Sequence, residues 1–367
     1  MMDFQTFFVY FTLILVMLVF AKISAHSAKI RRIKITHYSF VIPILFFTSV
    51  VGLRYMVGVD YGTYLDLIKN TTSDYYFHSI EPVYQYLILF IEKNSLHFSY
   101  FFIISAFLQI VFFYKSFDRP LLFLLPWAVP MFIMAEIGPL QNVVRHYTAI
   151  MIFFYALNHI KNQKLVYYAI TIFIASLFHR SILVCLPLYF LGGRELVKSA
   201  YLRFGLVLFF LIASAFLRNA LLSISGQLII MLGYAHHLKT NVFEKTGLGI
   251  YLIWIVNFII IGYYPKLKEA YRKNGFMIYW NLFYIGLLVK PMLDYIIALS
   301  RMNWYFYKLR FLILAFLLHY LYQHRNDQVH FLFFFIVLCC VVVIFIYSIM
   351  VGNDQMAPYY FIWDHYY

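Results

Sequence analysis

The sequence predicts an all-α, polytopic helical membrane protein with about 12 transmembrane helices (11–13) and with both termini extracytoplasmic. Three observations predict it. The first is composition: 64% of the 367 residues are hydrophobic, 12% are charged and the mean hydropathy is +0.79, whereas about a quarter of the residues of a soluble domain are charged. The second is length. Apolar stretches of about 20 residues recur from end to end, each able to cross a hydrocarbon core of ~30 Å. The third is charge placement: Lys and Arg gather in short loops between those stretches. A closed β-barrel would show short alternating segments instead. The net charge of +14 therefore reads as a topology signal rather than a nucleic-acid surface.

The spans follow in order as residues 3–21, 38–56, 97–114, 120–137, 140–159, 165–179, 181–191, 204–218, 247–264, 276–296, 303–321 and 329–350. The first is too long for a signal-peptide core and no basic region precedes it, so it is expected to remain as a span. The loop after it carries Lys22, Lys29, Arg31, Arg32 and Lys34. The positive-inside rule makes that loop cytoplasmic and the N-terminus external. Basic loops at Lys115/Arg119, Lys161/Lys164, Arg194/Lys198/Arg203, Lys266/Lys268/Arg272/Lys273 and Arg325 fit the same side. Alternation then requires that residues 81–93 do not fully cross. With about 10 apolar residues between polar ends, they read as an interfacial or re-entrant helix. Residues 165–191 can be one broken pair.

No soluble domain and no internal repeat is evident, so residues 1–367 read as a single integral membrane domain. The longer polar segments fall outside. Of these, 57–96 and 218–246 are expected to contribute to an extracytoplasmic site, the second with an amphipathic helix. Cys185, Cys339 and Cys340 lie in apolar segments and read as small hydrophobes. No D-x-D pair and no zinc-type spacing occurs, and adjacent His236 and His237 are badly placed for shared ligation. No metal and no cofactor is expected.

Ionisable side chains at membrane depth are expensive and mark pathways or sites. Arg54, Arg145, Arg180, Lys290, Arg301, Lys308 and Arg310 fall near outer span ends, with His179 in the same layer. Any one arginine can simply snorkel to the interface. Lys308 and Arg310 suit a structural pairing with Asp294. Several arginines at one depth need acids or an anionic substrate between them. A guanidinium offers phosphate planar, paired donors that stay charged, so a lipid-linked phosphate or pyrophosphate fits the layer.

Four stretches carry a family resemblance. They are Arg54-Tyr-Met-Val-Gly58-Val-Asp60-Tyr61 with Tyr64, followed by Glu81-Pro82 and Tyr84; Asn142-Val-Val-Arg145-His-Tyr-Thr-Ala149; Phe178-His179-Arg180-Ser181; and Arg301-Met-Asn-Trp-Tyr305-Phe306. The tail Pro358-Tyr359-Tyr360 adds to them. Together they resemble the EpsG-type polysaccharide polymerases, a branch of the Wzy-like O-antigen and capsule polymerases. One departure is His146, where the family usually has glutamine.

The resemblance implies a Wzy/GT-C-like architecture in the bacterial inner membrane, with the active site facing the periplasm or outside. It implies a metal-independent glycosyltransferase of polysaccharide biosynthesis, serving lipopolysaccharide or capsule. A growing glycan would pass from undecaprenyl pyrophosphate to a new lipid-linked oligosaccharide repeat. Arg54, Arg145 and Arg301 would stabilise the pyrophosphate, with Arg180 in support. His179 is the first candidate base, since an ordinary imidazole pKa of ~6.5 suits proton transfer near neutrality. Asp60 and Glu81 follow it; Asp60 could instead hold Arg54. Asp60, Tyr64, Glu81, Asn142, Arg180 and Tyr305 are expected to bind substrate. Tyr61, Tyr64, Tyr75, Tyr76, Tyr359 and Tyr360 are candidates to stack on sugar rings. Expected partners are membrane lipid, the lipid-linked oligosaccharide, a chain-length regulator and a flippase, with no nucleic acid. Two alternatives stay open: a flippase or other transporter, and an O-antigen-ligase-like transferase. An acyltransferase fits less well, because no second catalytic histidine motif occurs.

Overall fold

A computed structural model describes residues 4–30, 32–69, 77, 80–231, 248–294 and 297–364. The chain forms two compact units, Met1–Phe190 with Leu314–Tyr367, and Leu191–Ile313.

In the first unit, α1 (Phe4–Ile30) and α2 (Tyr38–Gly52) are followed by a two-residue strand β1 (Arg54–Tyr55) and α3 (Tyr61–Lys69). Next come α4 (Pro82–Lys93), α5 (Ser99–Ser116), a 3-10 turn Arg119–Leu124, α6 (Leu125–Asn142) and α7 (Val144–Lys161). The segment closes with α8 (Leu165–Ser176) and a 3-10 helix Arg180–Leu191. The second unit holds α9 (Ala200–Met231), α10 (Leu248–Tyr271), α11 (Phe276–Leu293) and α12 (Ile297–Tyr307). Then α13 (Arg310–Gln323), α14 (Gln328–Met350) and strand β2 (Tyr360–Phe361) complete the chain.

Among the described residues, seven helical segments are long and apolar enough to cross a membrane: 4–30, 99–116, 119–142, 200–217, 249–274, 276–293 and 328–350. The chain is thus a polytopic helical membrane protein, with fewer full-length spans than the 12 expected. Five expected spans fall short; α8 is one, with only 12 residues, and the other four have these local causes. The expected span 303–321 is broken between α12 and α13 at Lys308 and Leu309, where the helical ladder is interrupted. Residues 180–191 form a 3-10 helix with Pro187 inside it. At a rise of about 2.0 Å per residue, that segment reaches about 24 Å. Helix α2 has only 15 residues, and Arg54 follows after one intervening residue. Helix α7 carries Arg145, His146, Asn158 and His159, which dilute its hydropathy; most of its side chains are buried inside the protein rather than facing lipid.

Residues 82–93 of the segment expected not to cross form the 12-residue α4, about 18 Å long. It buries Tyr84, Ile88 and Ile91, and α3 buries Tyr61, Tyr64, Leu67 and Ile68. Both faces meet Phe101 and Phe102 at the start of α5 in one aromatic cluster. Tyr61 stacks on Phe102 at 4.3 Å and 4°. Of the expected external segment 218–246, the backbone of α9 is helical through Met231, and residues 232–246 lie outside the described residues, His236 and His237 included.

Both chain ends lie at the same end of the first unit. Gln5 Nε2 donates to Asp364 Oδ2 at 3.1 Å, Tyr359 N–H donates to Thr6 Oγ1 at 2.7 Å, and β2 pairs antiparallel with β1 through Arg54–Phe361 and Tyr55–Tyr360. The opposite ends of these helices carry the basic loops: Lys161 Nζ is 2.8 Å from Asp118 Oδ2, and Arg32, Lys115 and Arg119 line one recess there.

In the second unit, α11 and α12 approach closely at Gly286, where an added Cβ would meet Tyr307 N at 2.5 Å. Such small-residue contacts let helices pack in lipid, where burying apolar surface gives no drive. Asp294 pairs with Lys290, not with Lys308 or Arg310 as the sequence suggested. Lys308 lies over the Trp304 ring, and Arg310 Nε donates to Asn257 Oδ1 at 3.0 Å.

Candidate active site: a Glu81–Arg145–His179 cluster

Three helix ends converge in the first unit. Helix α6 stops at Asn142, and the turn at Val143 starts α7, which places Arg145 in its first turn. Helix α8 stops at Ser176, and His179 follows where α-helix gives way to 3-10 helix. Glu81 precedes Pro82, whose fixed φ and missing N–H suit the first turn of α4. Val83 N–H donates to Leu177 O at 3.3 Å and ties α4 to the end of α8. Tyr84 Oη lies 2.9 Å from Thr148 Oγ1 and ties it to α7.

Glu81 is the centre. Its Oε2 accepts from Arg145 NH1 in an ion pair, and its Oε1 lies 2.8 Å from His179 Nδ1. Arg180 N–H also donates to Oε1, at 3.3 Å. Burial alone would raise the Glu81 pKa. The close approach of His179 Nδ1 and the Arg145 charge outweigh it and bring the carboxyl down to about 2. The side chains of Glu81, Arg145 and His179 are 7%, 15% and 25% exposed, so the cluster is partly open on its histidine side. The Arg180 side chain is exposed, and the His146 ring lies 4.6 Å from that of His179.

Of the sequence-predicted site residues, the structure brings together Glu81, Arg145, His179 and Arg180. It gives Arg54 a different surrounding from the expected pyrophosphate-facing layer. Arg54 is 1% exposed. Its Nε donates to Val57 O at 3.1 Å, NH1 to Val51 O at 2.5 Å and NH2 to Gln141 O at 2.8 Å. Its guanidinium carbon lies 4.7 Å from the Phe102 ring centroid. Every nitrogen of the fork is thus committed to main chain, and Arg54 braces the joint between α2, α6 and the tail rather than presenting donors to a ligand or pairing with Asp60.

Asp60 and Asn142 belong to the same brace: Asp60 N–H donates to Asn142 Oδ1 at 3.0 Å, and Asn142 Nδ2 donates to Asp354 Oδ1 at 3.2 Å. Gly58 makes the close approach possible. Its φ is +101°, and a Cβ there would meet Gln141 O at 2.6 Å. Tyr64 is buried against Phe101, and Tyr61 and Tyr359 are buried as well, so these three are packing residues rather than sugar platforms. Tyr360 is 40% exposed. Tyr75 and Tyr76 lie outside the described residues. In the second unit, Arg301 is half-buried in α12 and Tyr305 is fully buried.

Sequence reasoning missed four contributors. His146 was visible only as a departure from glutamine, although it stands beside Arg145. Gln141 and Tyr10 gave no signal: Tyr10 Oη donates to Gln141 Oε1 at 2.9 Å across 131 residues. Asp354, in the tail, sits at a positive φ of 54° that only the folded tail reveals.

Helices long and apolar enough to cross a membrane, together with a charged cluster where helix ends meet, define a polytopic integral membrane protein. Comparison with known families then places it: the EpsG family model matches residues 37–361, and the chain belongs to the EpsG family. No curated protein and no solved structure matches the chain.

Proposed function

We propose that the chain is a polysaccharide polymerase of the bacterial inner membrane, transferring a growing glycan from undecaprenyl pyrophosphate to a sugar hydroxyl of a new lipid-linked repeat at the outer face. The observation that carries this reading is the convergence of Glu81, Arg145 and His179, from three separated stretches, at the end of the first unit away from its basic loops. The positive-inside rule assigns those loops to the cytoplasm and the cluster to the outside.

The roles follow from the geometry. With Nδ1 facing the Glu81 carboxylate, which can only accept, Nε2 of His179 is the nitrogen left with a lone pair. It takes the proton of the acceptor hydroxyl as that oxygen attacks the anomeric carbon. The bond from that carbon to the pyrophosphate oxygen breaks, and the leaving group keeps the electron pair. Arg145 and Arg180 meet the charge of the departing pyrophosphate. Glu81 orients both partners. No step in this scheme requires a metal. A transporter would place its polar site near mid-membrane between repeats, whereas this cluster lies at helix ends.

His179→Ala and Arg145→Ala are expected to abolish long-chain polymer in a complementation assay at unchanged protein level, leaving single repeats on the carrier. Arg145→Lys is expected to impair it, because a point charge lacks paired donors. Long polymer surviving both alanine changes would remove the assignment. Purified protein given lipid-linked repeat alone separates a polymerase from a ligase, which needs a second acceptor.

A further inference from the structure

Within the second unit, the loop before α9 and the end of α10 enclose a cleft of about 430 Å³ lined by Glu195, Lys198, Arg203, Tyr264, Lys268, Glu269 and Arg272. Four cations face two carboxylates there. One carboxylate is already engaged: Glu195 Oε2 lies 2.7 Å from Lys268 Nζ, and Oε1 accepts from Tyr264 Oη at 2.8 Å.

Arg203 is the unusual member. It is 2% exposed, and its guanidinium carbon lies 4.2 Å from the Tyr264 ring centroid. NH1 donates to Val197 O at 3.0 Å and to Lys198 O at 2.9 Å. Nε is buried and makes no hydrogen bond among the described residues. A buried guanidinium is costly unless its donors are spent. Arg54 shows how this protein satisfies an arginine that only braces: all three nitrogens reach carbonyls. Arg203 keeps a buried donor unspent, in a cleft that already holds excess positive charge. It also sits in the first turn of the 32-residue α9, where the helix end favours an anion. Exposed Lys198 and Arg272 supply further donors at the rim.

We propose that this cleft binds a phosphate-bearing anion. Phosphate matches the planar, paired donors of arginine. The cleft lies at the ends of α9 and α10, among loops that the positive-inside rule assigns to the cytoplasm. Two sources supply such a group there: the headgroup of an anionic lipid, or soluble phosphate.

The test uses the full-length protein in detergent, examined by native mass spectrometry with phosphatidylglycerol or phosphatidylcholine, and titrated with inorganic phosphate. The exposed Lys198 and Arg272 are changed together to alanine, which leaves the buried contacts of Arg203 in place. Phosphatidylglycerol is expected to be retained over phosphatidylcholine, and the double variant to bind it about thirtyfold more weakly, the attraction of two basic side chains for an anionic headgroup. Binding of inorganic phosphate, lost in the same variant, identifies the soluble source and also supports the site. Equal retention of the two lipids with no phosphate binding overturns the proposal. So does anion binding that the double variant leaves unchanged.

Discussion

Changing Glu81 to glutamine keeps the size of the side chain and removes the charge that holds Arg145 and His179. The magnitude follows from the carboxyl pKa, which lies at about 2 instead of 4.5. At about 1.4 kcal/mol per unit, the carboxylate contributes about 3 kcal/mol to the folded state. Glu81 is only 5% exposed, so little of this is lost to solvent screening. The sign is fixed by the direction. A depressed carboxyl pKa stabilises fully above the unfolded value near 4.5, and the contribution drains away as pH falls towards 2. Thermal unfolding in detergent, followed by tryptophan fluorescence at pH 7, 5 and 3, measures it. Wild type should exceed Glu81→Gln by about 3 kcal/mol at pH 7, with less than half of that gap left at pH 3. Equal melting at pH 7 would refute the reasoning. A gap that stays constant down to pH 3 would also refute it, because the effect would then come from packing and not from charge. The same variant should lose long-chain polymer at temperatures where it remains folded.

Arg54→Lys should act through folding. One ammonium cannot serve three carbonyls from separate segments, and the buried cation left behind costs about 3–5 kcal/mol. Immunoblots should show less protein, while the glycan made per molecule of surviving protein keeps its normal length. Gly58→Ala combines a φ of +101° with a Cβ 2.6 Å from Gln141 O. It should lower the melting temperature by an amount equivalent to more than about 1–2 kcal/mol, since the atom it meets is main chain and not the end of a flexible side chain. His146→Gln introduces the residue usual in the sequence pattern, whose flat amide can occupy the space beside the His179 ring. Polymer length at equal protein level should match wild type.

The membrane class was legible because it rests on summed hydropathy, which tertiary context cannot overrule. The short helix at 81–93 was legible from its length and polar ends, and α4 is that helix. The break at Lys308 and Leu309 was not, because residues 303–321 are apolar on both sides of it and the interruption has no proline or glycine to announce it. For the site, the stretches Glu81-Pro82, Asn142 to Ala149 and Phe178 to Ser181 named the right region. They could not divide the arginines by task. Arg54 and Arg145 look alike in sequence, each a cation beside a span end. Only the fold shows that one faces three carbonyls and the other a carboxylate. The tail was the least legible part: its contacts with Thr6, Val50 and Gln141 span more than half the chain and leave no local pattern.

That division of labour bears on how the cluster can handle a pyrophosphate. Arg145 is already paired, so its charge is largely cancelled by Glu81 before any substrate arrives. Arg180 differs: its main-chain N–H touches Glu81, while its side chain is exposed. Counting Glu81 against Arg145 and Arg180 leaves one positive charge at the resting site, and a second appears when His179 takes the acceptor proton. In the proposed reaction, positive charge therefore grows on the enzyme as negative charge grows on the leaving group. A cluster of free arginines would instead bind donor and departing pyrophosphate almost equally well, and equal binding does not lower the barrier. In that proposed reaction, the carboxylate at the centre would thus restrain ground-state attraction and direct the remaining electrostatic work to the moment of proton transfer.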